Sequence, residues 1–326
     1  MVSAPAVTVA IPVRDGGPRL GDVLAAVGAQ RSERDVELLV CDSGSSDGSL
    51  ERARAAGARV IEIDPASFSH GATRNLLMEH ASTEHVVFLT QDALPASETW
   101  LESLLAGFAA ADDVALVFGP YLPRERASAM VRRELTEWFG SFADGERPRI
   151  DRLVEHEREL PALELLGRRA FFTDANGAVS REHWRRVPFR PVPYAEDQQL
   201  ALDMLRAGHA KVFVPGAGVL HSHDYAPAEL FRRCFDEWRA LREVYGFVEP
   251  LRVRSVRDKL LVPVRGDVRL LRAEGASTAG LAAGGARSAT HHAIRLAGAL
   301  AGSRADRLPP HLRGRLSLEG RAGSAQ

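Results

Sequence analysis

Val36-Glu37-Leu38-Leu39-Val40-Cys41-Asp42-Ser43-Gly44-Ser45-Ser46-Asp47-Gly48 is an apolar run rich in β-formers that ends on a carboxylate and opens into a turn of small polar residues. It predicts a buried strand whose carboxyl end carries Asp42, with a helix following through Ala56. The same unit recurs on either side. Val7-Thr8-Val9-Ala10-Ile11-Pro12-Val13 predicts a first strand before the loop Arg14-Asp15-Gly16-Gly17, then a helix from about residue 20 to 30. Val60-Ile61-Glu62-Ile63 predicts a third strand, a helix runs from near Gly71 to His80, and Val86-Val87-Phe88-Leu89 predicts a fourth strand just before Asp92. Alternation of this kind predicts an α/β fold built on a doubly wound, mostly parallel sheet, which binds ligands outside the carboxyl ends of its strands. Asp42 and Asp92 both fall there.

Beyond this frame, residues 101–111 predict a helix and 114–118 a strand. Residues 124–164 are charge-rich with helical spacing and are expected as an insertion over one edge of the sheet. A late strand is expected at 211–214 and helix from Pro227 to Phe247. With 326 residues and 45% hydrophobic content, the chain can bury a full core and carry an accessory segment. The division expected is a ligand-binding domain over 1–250 and a basic helical tail over 251–326.

Charge supports that split. Residues 1–250 carry 28 Lys+Arg against 38 Asp+Glu, a balance of −10, whereas residues 251–326 carry 14 against 5, a balance of +9. A basic tail points to an anionic partner or to a solvated helical face. The two cysteines lack metal-ligand spacing, which argues against a disulfide framework or zinc site, and no run of about 18 apolar residues is present. A reduced, cytoplasmic setting is expected, with peripheral contact at the inner face of the cell membrane through the tail. No nucleic-acid partner is expected.

Five motifs in order carry a resemblance. Ile11-Pro12-Val13-Arg14-Asp15 closes the first strand, and Asp42-Ser43-Gly44-Ser45-Ser46-Asp47-Gly48 follows the second. Phe68-Ser69-His70-Gly71-Ala72-Thr73-Arg74-Asn75 opens a helix, Thr90-Gln91-Asp92-Ala93 follows the fourth strand, and Tyr194-Ala195-Glu196-Asp197-Gln198 starts a late helix. Together they resemble the family 2 inverting glycosyltransferases of the GT-A fold, over roughly residues 7–245. Phe-Ser-His-Gly and Gln-Asp-Ala resemble the bacterial rhamnosyltransferase branch.

The resemblance implies a nucleotide-sugar donor, dTDP- or UDP-linked, bound by Pro12, Val13, Arg14, Asp42, Ser43, Asp47, His70, Gly71, Arg74, Gln91 and Asp92. A carboxylate at a strand end suits the N3–H of a uracil or thymine ring, and a guanidinium at a helix start suits phosphate. It also implies Mg²⁺ or Mn²⁺. Thr90 replaces the first aspartate of the family's Asp-x-Asp motif, leaving Asp92 as the acidic metal ligand, with His221 or His223 completing the shell. Asp197 is implied as the base that takes the acceptor's proton, with Glu196 as partner, and Asp174 and Asn176 as donors and acceptors for sugar hydroxyls.

The same residues have plainer readings. Asp42 can cap a turn, Glu196 and Asp197 can complement a helix dipole, Asp174 and Asn176 can cap the turn after them, and each histidine can be structural. The activity expected is transfer of a sugar, L-rhamnose from dTDP-L-rhamnose first, to a hydroxyl of a cell-surface glycan or lipid-linked acceptor. A UDP-hexose transferase of the same fold and a noncatalytic nucleotide-sugar or glycan-binding subunit are the alternatives.

Overall fold

A computed structural model describes residues 7–319. The described chain divides into two compact units. The first comprises residues up to 122 with 139–192 and 196–221, and the second comprises 123–138, 193–195 and 222 onward. The break expected at residue 250 therefore moves. The helix Pro227–Tyr245 belongs with the C-terminal helices, and the insertion is shared between the units.

The strands of the first unit are β1 (Val7–Val13), β2 (Val36–Asp42), β3 (Arg59–Glu62), β4 (His85–Leu89), β5 (Leu94–Pro95), β6 (Val114–Phe118), β7 (Tyr121–Leu122), β8 (Arg149–Asp151), β9 (Asn176–Ser180), β10 (Ala210–Phe213) and β11 (Val219–Leu220). Eight form one sheet in the order β3-β2-β1-β4-β9-β6-β10-β8. The expected doubly wound, mostly parallel sheet is present: only β9 and β8 run against the rest. The parallel strands read as near-continuous apolar runs because both faces are covered. Val7, Val9, Ile11 and Val13 of β1 pack into one cluster with Leu20, Val23, Leu24 and Val27 of the helix α1 (Gly17–Gly28).

Because β9 is reversed, it is the start of this strand that meets the carboxyl ends of its neighbours. Asn176 is in register with Leu89 of β4. A second, small sheet, β5-β11-β7, lies among the loops of that edge, and β11 leads directly to His221. At the opposite end of the sheet, Asp113 binds His183 Nε2 at 2.7 Å and His209 Nδ1 at 2.9 Å, ahead of β6 and β10. Hydrogen bonds from the two histidines hold the Asp113 carboxyl down at about 2. Lys211 of β10 is fully buried, paired with Asp151 at 2.8 Å and lying over the Phe118 ring.

The remaining helices of this unit are α2 (Ser49–Ala55), α3 (His70–His80), α4 (Trp100–Ala106), α6 (Ala162–Leu165), α7 (Arg181–Arg186) and α8 (Glu196–Arg206). Helix α5 (Ala129–Gly140) begins in the second unit.

The second unit contains α9 (Pro227–Tyr245), α10 (Val253–Val256), a π-turn (Arg257–Leu261), α11 (Val262–Ala273), α12 (Thr278–Gly302) and α13 (Pro310–Leu316). Its Ala/Gly-rich sequence has a packing cause. A Cβ on Gly298 would lie 2.7 Å from Cys234 Cβ, and one on Gly302 only 2.2 Å from the Phe235 carbonyl oxygen, so α12 meets α9 backbone to backbone. Asp267 of α11 is buried and receives Arg133, Ser288 and His292 at 2.6, 2.6 and 2.8 Å. Those partners outweigh burial and hold its carboxyl at about 2. Asp236 on α9, also buried, accepts from Ser317 Oγ and the Leu318 amide, fastening the end of the described chain.

Candidate active site

The carboxyl ends of β1, β2 and β4 build the first part of the site. Asp42, 2% exposed, uses one oxygen to accept the amides of Gly44 and Ser45, both at 2.9 Å. Its Oδ2 is buried and has no hydrogen-bond partner among the described residues. A buried acceptor left this way is costly unless a ligand supplies a donor, and the N3–H of a pyrimidine ring is such a donor. Gln91 fixes the neighbouring loop reciprocally: its Oε1 accepts the Arg14 amide at 2.8 Å and its Nε2 donates to the Arg14 carbonyl at 3.0 Å. Ser43 closes back on Val13, again through the backbone. Asp47 is spent on structure, accepting from the Gly17 and Ser49 amides at 2.7 and 3.0 Å.

Asp92 and His221 converge. Asp92 Oδ1 lies 3.5 Å from His221 Nδ1, and the more exposed Arg19 stands 3.9 Å from the other oxygen. The His221 ring packs edge-on to Tyr121 at 4.8 Å. One oxygen and one imidazole nitrogen at this spacing suit a shared divalent cation, with open positions for phosphate oxygens. His223, two residues further on, belongs to the second unit, where its ring stacks on Tyr225. Thr90, in place of a first aspartate, has a buried hydroxyl with no hydrogen-bond partner among the described residues.

Arg74 is where expectation and structure part. The side chain is 4% exposed and points inward. It forms a two-pronged pair with Asp174, its Nη2 at 2.7 Å from Oδ1 and its Nε against Oδ2, while Nη1 reaches Glu196 at 2.8 Å and the His70 carbonyl at 3.0 Å. The guanidinium is therefore saturated by carboxylates, not free to grip a diphosphate. Gly71 likewise has a packing reason: a Cβ there would sit 2.4 Å from the Arg190 carbonyl oxygen. His70 faces the same cluster, its Nδ1 3.8 Å from Glu196.

Three carboxyls crowd this one cation. Burial pushes Asp174 up to about 7 even though Arg74 pulls it down. Asp197 is raised well above the usual range, first by desolvation and then by the negative charges of Asp174 and Glu196. One Asp197 oxygen accepts the Gln198 amide at 2.7 Å. The chain reaches this pair through Ala195 at φ 59°, a left-handed conformation that a non-glycine residue adopts at a cost of about 1–2 kcal/mol. A carboxylate made more basic by its surroundings, on a strained helix entry, fits a proton acceptor.

Residues 8–162 match the family model described as Glycosyl transferase family 2. That stretch, a little under half of the chain, carries a family 2 glycosyltransferase domain. The transferase is 27% identical over 235 residues to the O-antigen chain rhamnosyltransferase WbaN of Salmonella anatum, covering 71% of each chain. It is 29% identical over 235 residues to the O-antigen chain rhamnosyltransferase RfbN of Salmonella typhimurium, covering 71% of this chain and 70% of that one. Its fold matches the mannosyltransferase PcManGT from Pyrobaculum calidifontis, solved with GDP-Man and Mn²⁺, with a TM-score of 0.58 and 19% identity over 92% of this chain and 88% of that one. Glucosyl-3-phosphoglycerate synthase from Mycobacterium tuberculosis, solved with Mn²⁺, UDP-glucose and phosphoglyceric acid, gives 0.50 and 21% over 76% and 81%.

Within the transferase, Asn176 is a structural node and has no group to spare for a sugar. Its Oδ1 accepts from Trp100 Nε1 at 2.9 Å, and its Nδ2 donates to the Pro120 and Ala217 carbonyls at 3.2 and 2.8 Å. Asn75 does the same for the loop before α8, taking Trp184 Nε1 and the Phe189 amide and returning a bond to the Phe189 carbonyl. Sequence reasoning singled out neither Asn75 nor Trp100. An asparagine next to Arg74 and tryptophans far along the chain give no local signal of pairing across about 75–110 residues.

Proposed function

We propose that this transferase moves L-rhamnose from dTDP-L-rhamnose to a hydroxyl of a cell-surface glycan or lipid-linked acceptor, with inversion by direct displacement, at the inner face of the cell membrane. The names of the two Salmonella relatives support the sugar, and the buried unpartnered oxygen of Asp42 supports a pyrimidine nucleotide. Asp92 and His221 are the groups that would hold Mg²⁺ or Mn²⁺. A bound cation there would neutralise charge growing on the leaving diphosphate.

The chain's own residues do the rest. Asp42 accepts the ring N3–H and so sets which way the base lies. Gln91 holds the Arg14 loop against it. Arg74 anchors Asp174 and Glu196, and its charge offsets part of their negative field. Asp197, desolvated and held above the ordinary carboxylate range, takes the acceptor's hydroxyl proton as the new glycosidic bond forms. The convergence of Asp174 and Glu196 on the buried Arg74, with Asp197 beside them at the helix start, is the observation that carries the reading.

A second reading is favoured by Asp42 itself, because uracil and thymine present the same N3–H. A UDP-hexose donor would satisfy it equally. The deciding experiment is a panel of dTDP-rhamnose, UDP-glucose, UDP-galactose and GDP-mannose with Mn²⁺, scoring nucleotide release without acceptor. Fastest release from dTDP-rhamnose is expected. Preference for a UDP-sugar would replace the donor, and no release from any donor by a folded protein would favour a noncatalytic binding subunit.

A further inference from the structure

The second unit exposes a concentration of apolar and cationic side chains that its own packing does not use. Of the twelve exposed large hydrophobic residues among those described, five fall within residues 251–262: Leu251, Val253, Val256, Leu261 and Val262. Leu251 is 72% and Val253 88% exposed, values that leave the side chains almost wholly in solvent. Six arginines, at 252, 254, 257, 265, 269 and 272, are exposed along the same segment.

The two sets share a helical path. Val262, Arg265, Arg269 and Arg272 follow spacings of three, four and three residues, which places them on one face of α11. The opposite face is spoken for: Asp267 lies fully buried against Arg133, Ser288 and His292. One nearby acid, Asp258, is paired with Arg254 and Arg257 at 3.3 and 2.9 Å, and Glu274 is paired with Arg132 at 2.6 Å. The helical run from Val253 to Ala273 is thus packed on one side and presents cations and aliphatic groups on the other.

We infer that residues 251–272 form an interfacial docking edge that seats the transferase on an anionic lipid bilayer. This deepens the membrane-side working place proposed above and rests on it. Charge complementarity selects the occupant. Aliphatic side chains enter the boundary between headgroups and acyl chains, while guanidinium groups bind lipid phosphates in two-pronged fashion. A nucleic acid would match the arginines but give Leu251 and Val253 nothing apolar. No helix among the described residues is long and apolar enough to cross a membrane, so attachment through this edge is lateral.

The test is sedimentation of the full-length protein with vesicles of phosphatidylglycerol and phosphatidylcholine in equal parts, against pure phosphatidylcholine, without any donor. Binding to the anionic vesicles that fades with added salt is expected. The triple variant R265E/R269E/R272E should lower the partition coefficient by about 10²-fold or more, given about fivefold per basic residue near such a surface. The double variant L251D/V253D should also weaken binding. Both change exposed positions, so unchanged melting curves are expected to confirm folding. Equal binding to neutral and anionic vesicles, no sedimentation at low salt, or full binding by both folded variants would overturn the inference. Because no donor is present, failure here leaves the donor panel untouched, and failure of the panel leaves the lipid result standing.

Discussion

Replacing Arg74 with Met removes the cation that Asp174, Glu196 and Asp197 share. The side chain is 4% exposed, and its partners Asp174 and Glu196 are buried with it, so no water enters to replace the lost charge. Breaking a buried pair by deleting one partner costs about 3–5 kcal/mol. For a unit of this size that corresponds to a fall in melting temperature of about 6–20 °C. The loss should depend on pH in a defined direction. Asp174 already sits up at about 7 in the fold, above its ordinary value, so its ionisation opposes folding, and stability falls as pH rises from about 4 through 7. Without Arg74 the penalty grows, so the variant should melt much lower than wild type near pH 8 and closer to it near pH 5, where Asp174 is protonated in both. Adding Asp174→Asn should recover part of the loss at alkaline pH. Differential scanning fluorimetry at both pH values measures this directly. If Arg74→Met melts like wild type at pH 8 and only raises the donor KM, the guanidinium serves the diphosphate and the buried-cluster reasoning fails.

Asp197→Asn should keep shape and donor affinity while lowering transfer by about 10²–10⁴-fold, measured in single turnovers with excess donor. In wild type the rate should rise with pH through a midpoint above the ordinary aspartate range, because only deprotonated Asp197 accepts the proton; a midpoint near 4 would contradict the raised value. Asp92→Ala should abolish the extra thermal stabilisation that Mn²⁺ adds to dTDP, since metal and diphosphate bind as one unit; an unchanged shift removes Asp92 from the metal. Asp42→Asn should weaken dTDP by about tenfold to a hundredfold in calorimetry, and an N3-methylated thymidine diphosphate should bind wild type and variant alike.

The sheet was readable because its parallel strands are continuous apolar runs with carboxylates at their ends, as in Leu38-Leu39-Val40-Cys41-Asp42. The reversal of β9 was not, since Asn176-Gly177-Ala178-Val179-Ser180 carries no mark of direction; only the pairing on both sides reveals it. The strands β5, β7 and β11 are two residues each, too short for any period to register. In the site, Asp42, Asp92 and Asp197 were legible as strand-end and helix-start carboxylates. The direction of Arg74 was hidden because its partner Asp174 lies 100 residues away, and burial reversed what a helix-start arginine ordinarily does. The glycines of α12 carry no mark in the sequence of the partner they meet; their contact with α9 gives them a cause.

The close approach at Gly298 and Gly302 has a mechanical meaning for what lies between the two helices. Helices in backbone contact cannot slide or splay without colliding, so the first half of α9 and the last turns of α12 act as one fixed support. The stretch from Gly246 to Ser277 joins these two helices as an arch, and α11 within it is keyed to α12 at Asp267, through Ser288 and His292. An arch held this way offers its outer surface at a set attitude, so little orientational freedom remains to be lost when a flat partner is met. A side chain larger than glycine at position 302 would collide with the Phe235 backbone and push α12 off α9, disturbing the support on which the arch stands.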